Sequence, residues 1–134
     1  MTSKVVYDGQ LRTTNTHLKS GNEIITDAPT DNNGKGQAFS PTDLVSTALA
    51  NCMLTVMGIR ANAQNLNIDG ATAEVTKIMS SNPRRIAEII VDVTIPANNT
   101  ASRDREMLEK VARTCPVALS IHPDTTQTIT FTWK

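Results

Sequence analysis

The sequence predicts an α+β fold, and three observations carry that prediction. Ser40 to Gln64, SPTDLVSTALANCMLTVMGIRANAQ, reads as one long helix almost free of charge between Asp43 and Arg60. Ile86 to Pro96 places Ala87, Ile89, Val91, Val93 and Ile95 on one face and Glu88 and Asp92 on the other, which is a strand with one buried side. Several short strand-and-turn signals precede the helix. A sheet with one apolar face needs a cover, and the helix supplies it.

In chain order, Lys4 to Tyr7, a turn at Asp8 and Gly9, and Leu11 to Thr16 form a hairpin. Ser20 to Asn22 turn the chain again, and Glu23 to Asp27 make a third strand. Ala28 to Gly36, APTDNNGKG, is an exposed loop by composition. Ser40 caps the long helix, Pro41 fits its first position, and Asp43 suits its positive end in a spacing close to a capping box. Leu44, Ala48, Cys52 and Val56 recur at four along it, flanked by Val45, Leu49, Met53 and Ile59. A helix so apolar is expected to be buried by the fold or by a partner chain.

Asn67 to Met79 follows as a strand, Ser80 to Arg85 as a turn, and Ile86 to Pro96 as the clearest strand. A second helix spans about Ser102 to Thr114, with Met107, Leu108, Val111 and Ala112 on its apolar stripe. Pro116 disfavours helical geometry at Cys115, so Cys115 marks a break and caps a new turn over Pro116 to Ile121. Thr125 to Trp133 closes the chain as a strand.

The 134 residues are 39% hydrophobic and 19% charged, the composition of one soluble domain over 1–134 with a single core. Aromatics make up only 3%, so aliphatic side chains and Met must fill that core. A formal net charge of zero argues against nucleic acid and anionic membranes as partners. No run is read as long and apolar enough for a bilayer, and MTSKVVYDGQ lacks the apolar centre of a signal peptide, so the expectation is a cytoplasmic protein without a membrane partner.

Few residues offer chemistry. His17, His122, Cys52 and Cys115 are scattered without a chelating spacing, so no metal and no cofactor is expected. The two cysteines remain, and on residue chemistry alone each is either a small buried hydrophobe or a reactive thiol.

Their context resembles a family. The Pro-led, Ala-rich helix running into Cys52, and a Cys-Pro-Val at Cys115 to Val117, are together similar to the OsmC/Ohr family of osmotically inducible and organic hydroperoxide resistance proteins, in its OsmC-like branch. The order of elements matches as well. What the resemblance implies is antiparallel sheets packed around a long buried central helix, in an intertwined homodimer with its site at the subunit interface. It implies a thiol-dependent peroxidase that reduces organic hydroperoxides, and hydrogen peroxide less well. Cys52 would attack the peroxide, Cys115 would resolve the sulfenic acid as a disulfide, and a dithiol or small thiol, such as a lipoylated protein, would restore both thiols. Peroxidases of the family pair the thiolate with an arginine from a glycine-flanked segment and a glutamate directly after the helix-opening proline. Here Arg12 is the only arginine before the helix, Thr42 follows Pro41, and Asp43 is the nearest carboxylate, so Arg12 and Asp43 complete the candidate site. The alternative is an OsmC-like module without peroxidase activity that binds an apolar or thiol-bearing small molecule in the same pocket.

Overall fold

Three short strands come first in the computed structural model, which describes residues 1–134 in two compact units, Met1–Val45 and Ser46–Lys134. In the first unit β1 (Ser3–Gly9), β2 (Arg12–His17) and β3 (Glu23–Asp27) form an antiparallel sheet in the order β1-β2-β3. The reversal falls later than the Asp-Gly pair implies, at Gln10 and Leu11, both with positive φ. Gly9, at φ 86, is paired with Arg12, and the register shifts between Tyr7 and Gly9. The glycine is spent on this irregularity, so the tight turn is left to its two neighbours.

The loop after β3 folds back on its own start. Gly34 N–H bonds the Pro29 carbonyl at 2.9 Å, Gly36 N–H the Ala28 carbonyl at 3.2 Å, and Ala28 N–H reaches the Leu11 carbonyl at 3.0 Å. A Cβ on Gly34 would lie 1.7 Å from the Ala28 carbonyl oxygen, so only glycine fits that approach. Gly34→Ala should therefore force the loop to rebuild, costing about 1–3 kcal/mol in chemical denaturation. An unchanged midpoint would mean that the loop accommodates the methyl.

The long helix α1 (Pro41–Ala63) starts in the first unit with a reciprocal cap. Asp43 N–H donates to Ser40 Oγ at 3.1 Å, and Ser40 N–H donates to Asp43 Oδ2 at 2.9 Å, so aspartate completes the capping box where a longer acid is usual.

The second unit carries the rest of α1, then β4 (Thr72–Ser80), β5 (Arg85–Ile95), α2 (Ser102–Arg113), α3 (Pro116–Ser120) and β6 (Thr126–Trp133). Its core is aliphatic and Met-rich: Leu49, Met53, Met57 and Ala61 of α1 join Ile89, Val91, Val93 and Ile95 of β5 and Leu108 and Ala112 of α2. The buried seam is thus one residue round from the predicted Ala48, Cys52 and Val56, which are only partly buried. The helix is apolar on most sides, so its larger side chains decide which face turns inward. Its opposite face is open, with Ile59 66% exposed, so the helix is buried along one side rather than all round.

By length and composition α1 could cross a membrane, its 23 residues including a window of mean hydropathy 1.4, contrary to the reading that no such run exists. Core helices share that composition, and four of its large and small apolar residues lie in the seam just described.

β4 begins later than expected. Asn67 Oδ1 accepts from Asp69 N–H at 2.6 Å, and Gly70 takes φ 87, so residues 67–70 turn before the strand starts. β4 and β5 are antiparallel, but β6 runs parallel to β5, from Glu88 opposite Thr126 to Ile95 opposite Trp133. The expectation of antiparallel sheets therefore holds for five strands and fails at the sixth. Residues 96–125, with α2 and α3, supply the long crossover a parallel pair requires. Arg105 and Arg113 of α2 stack on Trp133 and Phe131 of β6, and Trp133 Nε1–H donates to Glu109 Oε1 at 2.9 Å.

Candidate active site

Both cysteines belong to the second unit, and each is placed by helix geometry. Cys52 lies on the flank of the α1 seam, half-buried. Cys115 stands between α2 and α3 because Pro116 prevents a continuous helix, and its backbone is extended at φ −66 and ψ 156. Its Sγ accepts from Ala118 N–H at 3.4 Å as the cap of α3, and the residue is 1% exposed.

Neither thiol is in a disulfide, and Cys52 lies near enough to act on the Cys115 thiol. The two residues, sixty-three positions apart, therefore come together. Burial pushes the Cys115 thiol up, the neighbouring Cys52 adds to this, and the Ala118 N–H pulls the other way. Cys115 thus keeps its proton where a free cysteine would begin to lose it. The pair is asymmetric in burial: one thiol is partly open and the other is sealed in the core.

Arg12 and Asp43 lie in the first unit. Arg12 opens β2 directly opposite Asp27, the last residue of β3. Its Nε donates to Asp27 Oδ1 at 2.7 Å and its Nη2 to Oδ2 at 2.8 Å, a two-pronged pair. Nη2 also donates to Gln37 Oε1 at 3.2 Å, and Gln37 N–H donates to Asp27 Oδ2 at 3.1 Å. The Asp27 side chain is 2% exposed and that of Arg12 33%. The hydrogen bond to Arg12 chiefly, helped by the Gln37 N–H, holds the Asp27 carboxyl below its ordinary range against the opposing effect of burial. The same bond raises the Arg12 guanidinium. Asp43 is engaged in the helix cap with Ser40.

Asp27 and Gln37 were not singled out by the sequence reading. A signal for Asp27 was present, since two strands joined by a short turn bring Arg12 and Asp27 to facing ends with opposite charge. Gln37 had none, because its role comes from the fold of the loop.

Comparison with known proteins gives a consistent result. The family model described as OsmC-like protein matches residues 34–130, which include Asp43, Cys52 and Cys115. No curated protein matches the chain. Among solved structures, an osmotic stress induced and detoxification response protein from Psychrobacter arcticus is 52% identical, covers 98% of this chain and 95% of its own, and superposes with a TM-score of 0.93. The organic hydroperoxide resistance protein OhrB of Bacillus subtilis, 18% identical over 98% of both chains, has the same fold at a TM-score of 0.67. An organic hydroperoxide resistance protein from Vibrio cholerae, with captopril bound in one of its active sites, is 15% identical over 98% of this chain and 91% of its own, at a TM-score of 0.70.

Proposed function

The chain belongs to the OsmC-like family, and we propose that it is a thiol-dependent peroxidase acting on organic hydroperoxides. One observation carries the reading: a half-buried free Cys52 beside a buried free Cys115, whose thiol burial pushes up. Similar structures named for organic hydroperoxide resistance support the substrate class.

In this mechanism the Cys52 thiolate attacks the distal oxygen of the hydroperoxide. The O–O bond breaks, the proximal oxygen leaves as an alcohol after taking a proton, and Cys52 becomes a sulfenic acid. Cys115 then attacks the sulfenic sulfur. An S–S bond forms, the S–O bond breaks, and the oxygen departs as water with the proton Cys115 has held. A dithiol reductant returns two electrons and two protons by thiol–disulfide exchange and is itself oxidised to a disulfide. Burial suits Cys115 to this role, because a thiol shielded from bulk peroxide survives until its neighbour is oxidised.

Arg12 is the cation that favours the Cys52 thiolate in this proposal, and Asp43 serves the site from the start of α1. The protein works as a cytoplasmic homodimer. Exposed apolar side chains support a second chain: Val5, Tyr7 and Ile24 in the first unit, Ile59 and Leu119 in the second. A second reading, a module that holds a thiol-bearing small molecule, is favoured by the captopril bound in the Vibrio cholerae structure, since captopril carries a thiol.

The reduced protein should lose both thiols and two hydrogens of mass when treated with one equivalent of cumene hydroperoxide, faster than with hydrogen peroxide. Thiol titration and intact mass over time read this directly. Thiols that survive both peroxides would rule out the peroxidase and favour the binding module.

A further inference from the structure

We propose that Met107 is an oxidation site in its own right, where a hydroperoxide converts the thioether to a sulfoxide that Arg60 is placed to hold. Met107 lies on α2, and its side chain packs against the core while staying partly exposed. Arg60 stands in the last turn of α1 and is itself exposed. Its Nε–H donates to Met107 Sδ at 3.2 Å, a contact that joins the two helices across 47 positions of sequence. A thioether is a weak acceptor for a guanidinium, and an exposed arginine has water to bond instead. What the contact supplies is placement. It sets a cationic donor beside the sulfur, within reach of any oxygen the sulfur gains.

The sulfur has two lone pairs, and Arg60 engages one of them. The other attacks an oxygen of the hydroperoxide, the O–O bond breaks and an S–O bond forms. The second oxygen leaves and takes up the proton that the transferred oxygen carried, giving an alcohol, or water from hydrogen peroxide. Sulfur gives up two electrons and the peroxide gains them. The sulfoxide oxygen is a far stronger acceptor than the thioether was, so the bond to Arg60 strengthens. In a core, the same change disrupts packing, because a polar oxygen replaces an apolar contact. Met53 and Met57 are wholly buried and closed to peroxide. Met107 differs because its corner is open, with Ile59, next to Arg60, 66% exposed. The new oxygen meets the guanidinium on the solvent side, while the apolar side of the residue keeps its packing. Oxidation thus tightens a contact between α1 and α2 that it would loosen at an unassisted methionine. A thiol-dependent sulfoxide reductase reverses the change, returning the thioether and water as two thiols become a disulfide.

The test uses a Cys52→Ser/Cys115→Ser background, in which no thiol competes for the oxidant, treated with hydrogen peroxide or cumene hydroperoxide and mapped by peptide mass. Met107 should gain one oxygen while Met53 and Met57 gain none. The thermal midpoint is then compared before and after oxidation, with Met107→Leu subtracting the effect of oxygen gained at Met1 and Met79. The midpoint should hold or rise with Arg60 present and fall by about 3 °C or more with Arg60→Ala. A second comparison needs no oxidant and serves if the cysteine-free protein does not fold. In the protein with its native cysteines, Met107→Gln puts an amide oxygen where the sulfoxide oxygen would be, and Met107→Leu does not. Adding Arg60→Ala should lower the midpoint of Met107→Gln by about 3 °C or more beyond what it does to Met107→Leu. A Met107 left unoxidised once Met1 is fully converted, or losses of equal size with and without Arg60, would overturn the proposal. Neither comparison reads peroxide turnover, so its outcome is separate from that of the function proposed above.

Discussion

Cys52→Ser should bring peroxide consumption down by about three orders of magnitude or more, because the thiol that remains, Cys115, is 1% exposed and shielded from peroxide. The serine hydroxyl is not ionised at neutral pH and cannot be oxidised to an equivalent species. Cys115→Ser should behave differently. The first step needs only Cys52, so one equivalent of peroxide is still consumed, and a sulfenic acid accumulates that dimedone traps with the matching mass gain. Turnover with a dithiol should then slow while the first oxidation keeps its rate. Cys52→Ser that keeps a tenth of wild-type activity, or Cys115→Ser that yields no trappable sulfenic acid, would contradict the assignment of the two roles.

The placement of the two cysteines was legible because it is written in local chemistry, whereas their roles came from the resemblance. Pro116 breaks the helix and forces Cys115 to a cap wherever the rest of the chain goes, and the run from Pro41 to Cys52 declares its own helix. Arg12 was legible as a candidate, but its surroundings were not. The resemblance directed attention to the carboxylate nearest the helix start, whereas the partner in the structure is Asp27, opposite Arg12 across β2 and β3. Such a pairing depends on strand register, and register depends on where each turn falls. The turn at Gln10 and Leu11 comes later than the Asp-Gly pair indicates, and this makes Arg12 the first residue of β2. Gln37 lay further from reach, because its hydrogen bonds exist only once the loop has folded around Gly34.

A different limit applied to α1, and it leads to the largest expected effect on stability. Nearly every side of this helix is apolar, so periodicity alone could not choose between the row of Ala48, Cys52 and Val56 and the row of Leu49, Met53 and Met57. Packing chose the second, whose larger side chains fill the space over Ile89, Val91 and Val93. Leu49→Ala should therefore remove a side chain that is wholly buried and leave a cavity, costing about 2–5 kcal/mol in urea unfolding with little change in the m-value. Val56→Ala deletes less from a site only partly enclosed and should cost about 1 kcal/mol. The contrast tests the seam itself, since the two rows differ by a rotation of one residue. Equal losses, or a greater loss at Val56, would place the second row on the inside. The rotation also matters for the proposed chemistry: with Leu49 and Met53 facing the core, Cys52 falls on the flank, near Cys115 and still partly exposed. A helix turned so that Cys52 lay in the seam would seal both thiols from peroxide, and the asymmetry between them would be lost.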